Sequence, residues 1–187
     1  MPQRFVTSAP FALDTSRKRG LLLPTVREFL KGIETGPVGH WVAESIWAFN
    51  GILMFHMIAV AMVFGLIVIV DLRLLGLTSR NTSVMQLCED VIPWTWLAFA
   101  VSVITGAIVF TGQALKYYDN YAFRMKFLAM ALAGINMLVF QYIVFRDVTK
   151  WDRDAAVPLA GKLAGLISLI CWIAVIAYGR WTAYYIV

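Results

Sequence analysis

The chain has 187 residues, 60 % of them hydrophobic and only 14 % charged, with a net charge of +5 and a mean hydropathy of +0.74. A soluble globular domain is nearer roughly half apolar and a quarter charged. The balance here excludes an ordinary water-soluble domain and predicts a surface that faces lipid, in one bundle and not two domains.

Residues 1 to 23 read as irregular, with Pro2, Pro10 and the basic cluster Arg17-Lys18-Arg19. Six of the sixteen basic residues precede the first span: Arg4, Arg17, Lys18, Arg19, Arg27 and Lys31. They predict a tail facing the cytoplasm and anionic headgroups. No nucleic-acid-binding module accompanies them, so nucleic acid is not an expected partner. The first apolar run starts near residue 46 and is too long for a cleavable signal peptide.

Pro24 opens a short helix, with Thr25 and Glu28 at capping-box spacing. Val26, Phe29, Leu30 and Ile33 give it one apolar stripe, as expected of a helix lying on the membrane surface. Gly32, Gly36, Pro37 and Gly39 end it and turn the chain into the bilayer. His40 and Glu44, four apart, read as a solvated pair at the membrane entrance, beside Trp41 and Trp47 of an aromatic belt.

The first span is the clearest. From Trp47 to Val70 only Asn50 and His56 are strongly polar, over a length that crosses a hydrocarbon core. Leu74, Leu75 and Leu77 continue the apolar pattern beyond Asp71-Leu72-Arg73 and predict a helix reaching past the lipid. After the polar break at Thr78 to Thr82, Ser83 and Gln86 are spaced to start the next helix. The second span is expected over about Val91 to Leu115, with Pro93 at its start and Trp94 and Trp96 at interface depth. Lys116 to Tyr121 reads as a short turn, which would make the second and third spans antiparallel neighbours.

The third span is expected over Arg124 to Phe145. Lys126, Met130, Gly134, Met137 and Gln141 recur at helical spacing on one side, with Asn136 beside them. Such a stripe should face protein or a cavity. A charged loop follows, and Pro158 opens the fourth span, ending near Gly179-Arg180. Gly161, Gly165 and Ser168 form a small face for tight packing, within the bundle or between protomers. The fold class is therefore all-α: residues 1–45 form a tail and an interfacial amphipathic helix, and 46–187 a four-transmembrane-helix bundle.

His56 is the leading candidate for chemistry, because an ionisable side chain deep in a span is costly and usually functional. A neutral imidazole there can ligate a haem iron. The expected arrangement is haem b, with His56 as metal ligand, the Met130, Asn136, Met137 and Gln141 face beside it, and Lys126, Arg73 or Arg180 pairing with the propionates. His40 is too far along the same segment to share that iron. The competing reading is a histidine hydrogen-bonded to a neighbouring helix. Cys88 and Cys171 have no CxxC partner, and hydrolase, kinase and nucleotide motifs are absent from the sequence. Asp71, Glu89, Asp90 and Asp152 sit near span ends and read as interfacial ion-pair partners.

Taken together, His56, Val70-Asp71-Leu72-Arg73-Leu74-Leu75-Gly76, Ile92-Pro93-Trp94, Phe123-Arg124-Met125-Lys126, Asn136-Met137 and Gly179-Arg180-Trp181 resemble an uncharacterised bacterial family of small four-span membrane proteins. The resemblance covers roughly residues 35 to 183. It implies a bacterial inner-membrane location, and similar proteins can carry histidine where this chain has Gln141. A more distant likeness to b-type cytochrome membrane anchors and copper-resistance membrane domains rests on a histidine early in a span. The expectation is a haem-binding or redox-associated membrane component with both termini cytoplasmic. The alternatives are a non-catalytic subunit of a larger membrane complex or homo-oligomer, and a membrane-embedded enzyme for a small lipophilic substrate, using a cavity at His56 with Lys126 or Asn136 pointing in.

Overall fold

A computed structural model describes residues 23–78, 83–152 and 157–184. The expected basic tail falls on residues outside these. Two short helices, α1 (Leu23–Thr35) and α2 (Pro37–Glu44), lead into the first long helix, α3 (Ile46–Leu74). Helix α4 (Val84–Thr111) returns, the short α5 (Ala114–Asp119) turns the corner, and α6 (Tyr121–Val139) crosses again. Its axis continues through a π-helical turn (Phe140–Val144) and a 3-10 segment (Phe145–Lys150) before α7 (Leu159–Thr182). The four long helical segments are long and apolar enough to cross a membrane. The protein is an all-helical, multi-pass integral membrane protein.

Helix ends follow local chemistry. Ser45 caps α3 by accepting from the Ala48 amide at 3.2 Å, and Ser83 caps α4 by accepting from Gln86 at 3.1 Å. Asn120 caps α6 through Phe123 and also donates to the Thr182 carbonyl at 3.0 Å, tying α6 to the end of α7. The α3 helix does not extend to Leu77. Gly76, at φ +74°, closes it: the Gly76 and Leu77 amides donate back to Arg73 and Leu72. A left-handed glycine thus overrides the leucine pattern.

The second span also departs from expectation. Helix α4 starts at Val84, so Pro93 lies inside it and not at its start. Trp94 and Trp96 are then about 15 and 18 Å along the helix axis. The N-terminus of α4 has a second cap from far along the chain. The Asp152 carboxylate accepts from the Met85 amide at 3.0 Å and from the Ser83 hydroxyl. Arg73, only 4 % exposed, donates to the Asp152 carbonyl at 3.1 Å. Asp152 is therefore a helix cap that joins three segments.

On the opposite side of the bundle, α1 and α2 lie over the ends of α4 and α5. Helix α1 begins at Leu23, so Thr25 falls within it and not at its cap. Leu30 is buried while Phe29 is 69 % exposed, so the apolar stripe is shared between protein and surroundings. Arg27 pairs with Asp119 at 2.7 Å, and Glu34 accepts from the Leu115 amide at 3.2 Å, so α1 holds both ends of α5. The stretch expected to be a plain turn is this short helix. His40 and Glu44 are 3.1 Å apart and well exposed, as expected of an interfacial pair.

Helix α3 packs on α4 and on α7, and α7 packs on α6. Glycines set the closest approaches. A Cβ at Gly165 would lie 3.1 Å from the Asp71 carbonyl oxygen and 3.2 Å from Leu74 Cβ, so α7 meets α3 nearly backbone to backbone. The Gly161–Gly165 face is thus used inside the bundle. Helices α4 and α6 are antiparallel, but they meet mainly at their ends. One end is closed by rings: Phe110 lies 6.0 Å from Tyr117 and 5.8 Å from Phe123. The other is closed by a buried cluster including Val84, Cys88, Val144, Val148 and Trp151. Between these closures the two helices stand apart.

Candidate functional site

His56 is half-buried on α3, facing α4. Its Nδ1 lies 2.8 Å from the Ser102 carbonyl oxygen, so the Nδ1–H donates there, and 3.3 Å from Thr105 Oγ1. Gly106 makes room for the ring: a Cβ at that position would be 2.9 Å from His56 Cε1. The sequence of α4 explains the fit. Ser102, Thr105 and Gly106 share one helix face, offering a carbonyl, a hydroxyl and no side chain. This is the interhelical hydrogen bond of the competing reading.

A cavity of about 240 Å³ lies elsewhere, where α4 and α6 separate. Val63, Ile67, Val70, Asp71 and Leu74 of α3 form one wall, and Ala164, Ser168 and Trp172 of α7 another. Helix α4 contributes Cys88, Thr95, Trp96 and Phe99, and the third span Met130, Gly134, Asn136, Met137, Phe140 and Gln141. Trp96, Gly134, Met137 and Gln141 are exposed on the outside of the bundle, so the cavity opens sideways between α4 and α6. Gln141 sits in the π-helical turn, a local irregularity frequent at functional sites.

The polar stripe expected on the third span is therefore real over most of its length. Met130, Gly134, Asn136, Met137 and Gln141 all line the cavity, and Asn136 Nδ2 also donates to the Ala164 carbonyl at 2.9 Å. Lys126 and His56 do not line it. His56 is fifteen residues before Asp71, about 22 Å along α3. Arg73 is engaged with Asp152, and Arg180 donates to the Tyr184 hydroxyl at 3.1 Å and sits over its ring. Among the described residues, no three His, Cys, Asp or Glu side chains converge on a metal-sized site. The residues present do not fit a haem gripped by His56: Met130, Asn136, Met137 and Gln141 face a space that His56 does not reach.

Asp71 is the residue that sequence reasoning placed wrongly. Its side chain is not in an interfacial ion pair. It is 4 % exposed, it lines the cavity, and its Oδ2 has no hydrogen-bond partner. Ser168 lines the cavity beside the same carboxylate. The close approach of α7 at Gly165 holds this pair: Ser168 lies one turn further on and is carried onto Asp71. A signal existed in the small Gly161, Gly165 and Ser168 face, but not in which residue of α3 it would meet.

Residues 32–185 match a family of unknown function, DUF6644. The chain belongs to DUF6644. The match begins within α1 and ends beyond α7, so the DUF6644 region takes in all four spans and every residue of the cavity. It agrees with the expected uncharacterised family over nearly the same residues. No curated protein and no solved structure matches the chain.

Proposed function

We propose that this DUF6644 protein binds a small lipophilic molecule that enters from the bilayer between α4 and α6. The observation that carries the reading is the cavity: apolar for most of its lining, open sideways, and furnished at a few points with polar groups that could orient a guest. Ligand sites generally have this composition. The reading develops the expected alternative of a membrane protein acting on a small lipophilic compound, with Asn136 at the cavity, and leaves His56 as a packing residue. We place the protein in a bacterial inner membrane with both termini cytoplasmic, supported by the basic residues before the first span.

Gly134 offers a direct test. A Cβ there would meet nothing within 4 Å, so a large side chain has room to enter. In nanodiscs of phosphatidylcholine, tritiated 4-phenylbutan-1-ol should bind saturably at one site per protein above empty discs. Gly134→Phe should weaken that binding by about tenfold or more, the loss of some 1.4 kcal/mol of contact, without lowering the melting temperature. Binding no different from that of empty discs overturns the reading.

The same geometry sets an expectation for His56. Detergent-purified protein, oxidised and reduced, should show no Soret band that His56→Ala removes. That substitution should cost about 1 kcal/mol of stability, the worth of one neutral hydrogen bond. A His56-dependent Soret band would restore the haem.

A further inference from the structure

We infer that the guest is a lipophilic amine carrying an N–H, held as an ammonium ion by Asp71. This rests on the cavity reading above and adds the chemistry of the ligand. A buried carboxylate oxygen with no partner is costly in water-soluble proteins and more so among membrane spans. Asp71 Oδ2 is in that position at the edge of the cavity, while Ser168 lies beside the carboxylate.

Among the described residues no Lys, Arg or His lines the cavity, so the matching positive charge is expected to arrive with the ligand. The rest of the lining suits such a charge. Trp96, Phe99, Phe140 and Trp172 present aromatic rings to the same space, and ring faces attract ammonium ions. The methionine sulfurs of Met130 and Met137 are soft and adaptable towards an apolar tail. An N–H is required because a quaternary ammonium would leave Oδ2 without a hydrogen bond. A carboxylic acid would meet Asp71 as a like charge. A neutral alcohol could bond Oδ2 but would leave the negative charge uncompensated.

The experiment compares three probes of one shape: 4-phenylbutylamine, 4-phenylbutan-1-ol and 4-phenylbutanoate. Each is measured by equilibrium dialysis against the full chain in phosphatidylcholine nanodiscs, with empty discs subtracted. Wild type should bind the amine about tenfold more tightly than the alcohol, the value of one charge-assisted hydrogen bond, and the carboxylate not at all. Asp71→Asn keeps the shape and removes the charge. It should bring the amine to within about twofold of the alcohol. Trp96→Leu, which leaves the carboxylate untouched, should weaken the amine more than the alcohol and remains informative if Asp71→Asn fails to fold. Saturable alcohol binding with no preference for the amine overturns the ammonium site and leaves the cavity standing. An amine preference that survives in Asp71→Asn also overturns it. If none of the three probes saturates, the cavity reading falls and this one with it.

Discussion

Asp152→Ala is expected to destabilise the protein by about 2–4 kcal/mol. The carboxylate does two things at the start of α4: it accepts from the Met85 amide and from the Ser83 hydroxyl. Loss of the cap on the exposed Met85 amide costs about 1 kcal/mol, and the part-buried Ser83 hydroxyl left without its acceptor adds about 1–3 kcal/mol. The negative charge also faces the positive end of the α4 dipole, which is lost at the same time. For a chain of this size the melting temperature should fall by roughly 5–10 °C. Asp152→Asn keeps one side-chain oxygen as acceptor and should recover about half of the loss. The check is thermal unfolding of the detergent-solubilised protein followed by circular dichroism. A fall of under about 1 °C for Asp152→Ala would mean that Ser83 alone closes the helix.

Gly39→Ala should have an effect of similar size by a different route. A Cβ at Gly39 would lie 2.5 Å from the carbonyl oxygens of Ile33 and Glu34 and 2.8 Å from that of Thr111. All three are backbone atoms, so no side chain can swing aside. Helix α2 would have to lift away from α1 and from the end of α4. Overpacking of this kind costs about 1–3 kcal/mol, towards the upper end where the neighbours are rigid. The Arg27–Asp119 and Glu34–Leu115 contacts that hold α1 over α5 lie next to this site. The result should be faster protease cleavage between Thr35 and Ile46, together with a lower melting temperature. Gly32→Ala is the control. Nothing lies within 4 Å of a Cβ there, and alanine is favoured over glycine inside α1, so this variant should gain up to about 1 kcal/mol. Equal protease sensitivity in the two variants would rule out the steric account.

These predictions lie outside the cavity, which separates stability from binding. Gly134→Phe and Asp71→Asn change the space between α4 and α6, while Asp152 and Gly39 hold the two ends of the bundle. A variant of the second kind that altered probe binding without altering the melting temperature would show that the ends also shape the cavity.

The sequence by itself determined the four crossings and the starts of two of them, at Ser83 and Pro158. Four runs of apolar residues long enough to span lipid need no tertiary information to be seen, because hydropathy and length are properties of single segments. Ser83 as a helix start and His40 with Glu44 as a surface pair are likewise local, set by residues three or four apart. The polar stripe from Met130 to Gln141 was legible for the same reason, and it does line the cavity. Where the local reading failed, a second local feature outweighed the first: Gly76 ended α3 in spite of the leucines, and the Ser83 cap started α4 well before Pro93.

Only the tertiary structure decided which faces meet. Spans are apolar all round, since lipid and protein interior are both apolar, so hydropathy marks no inner face. Which small residue sits against which neighbour is a long-range matter. Gly106 lets the His56 ring lie against α4, and Gly165 against Asp71 turned an expected interfacial acid into a buried one. The separation of α4 from α6, two segments that a short connection was expected to make neighbours, goes with α4 packing on α3 and α6 on α7 instead. The cavity exists because of that choice of partners, which depends on close backbone approach between residues far apart in the chain.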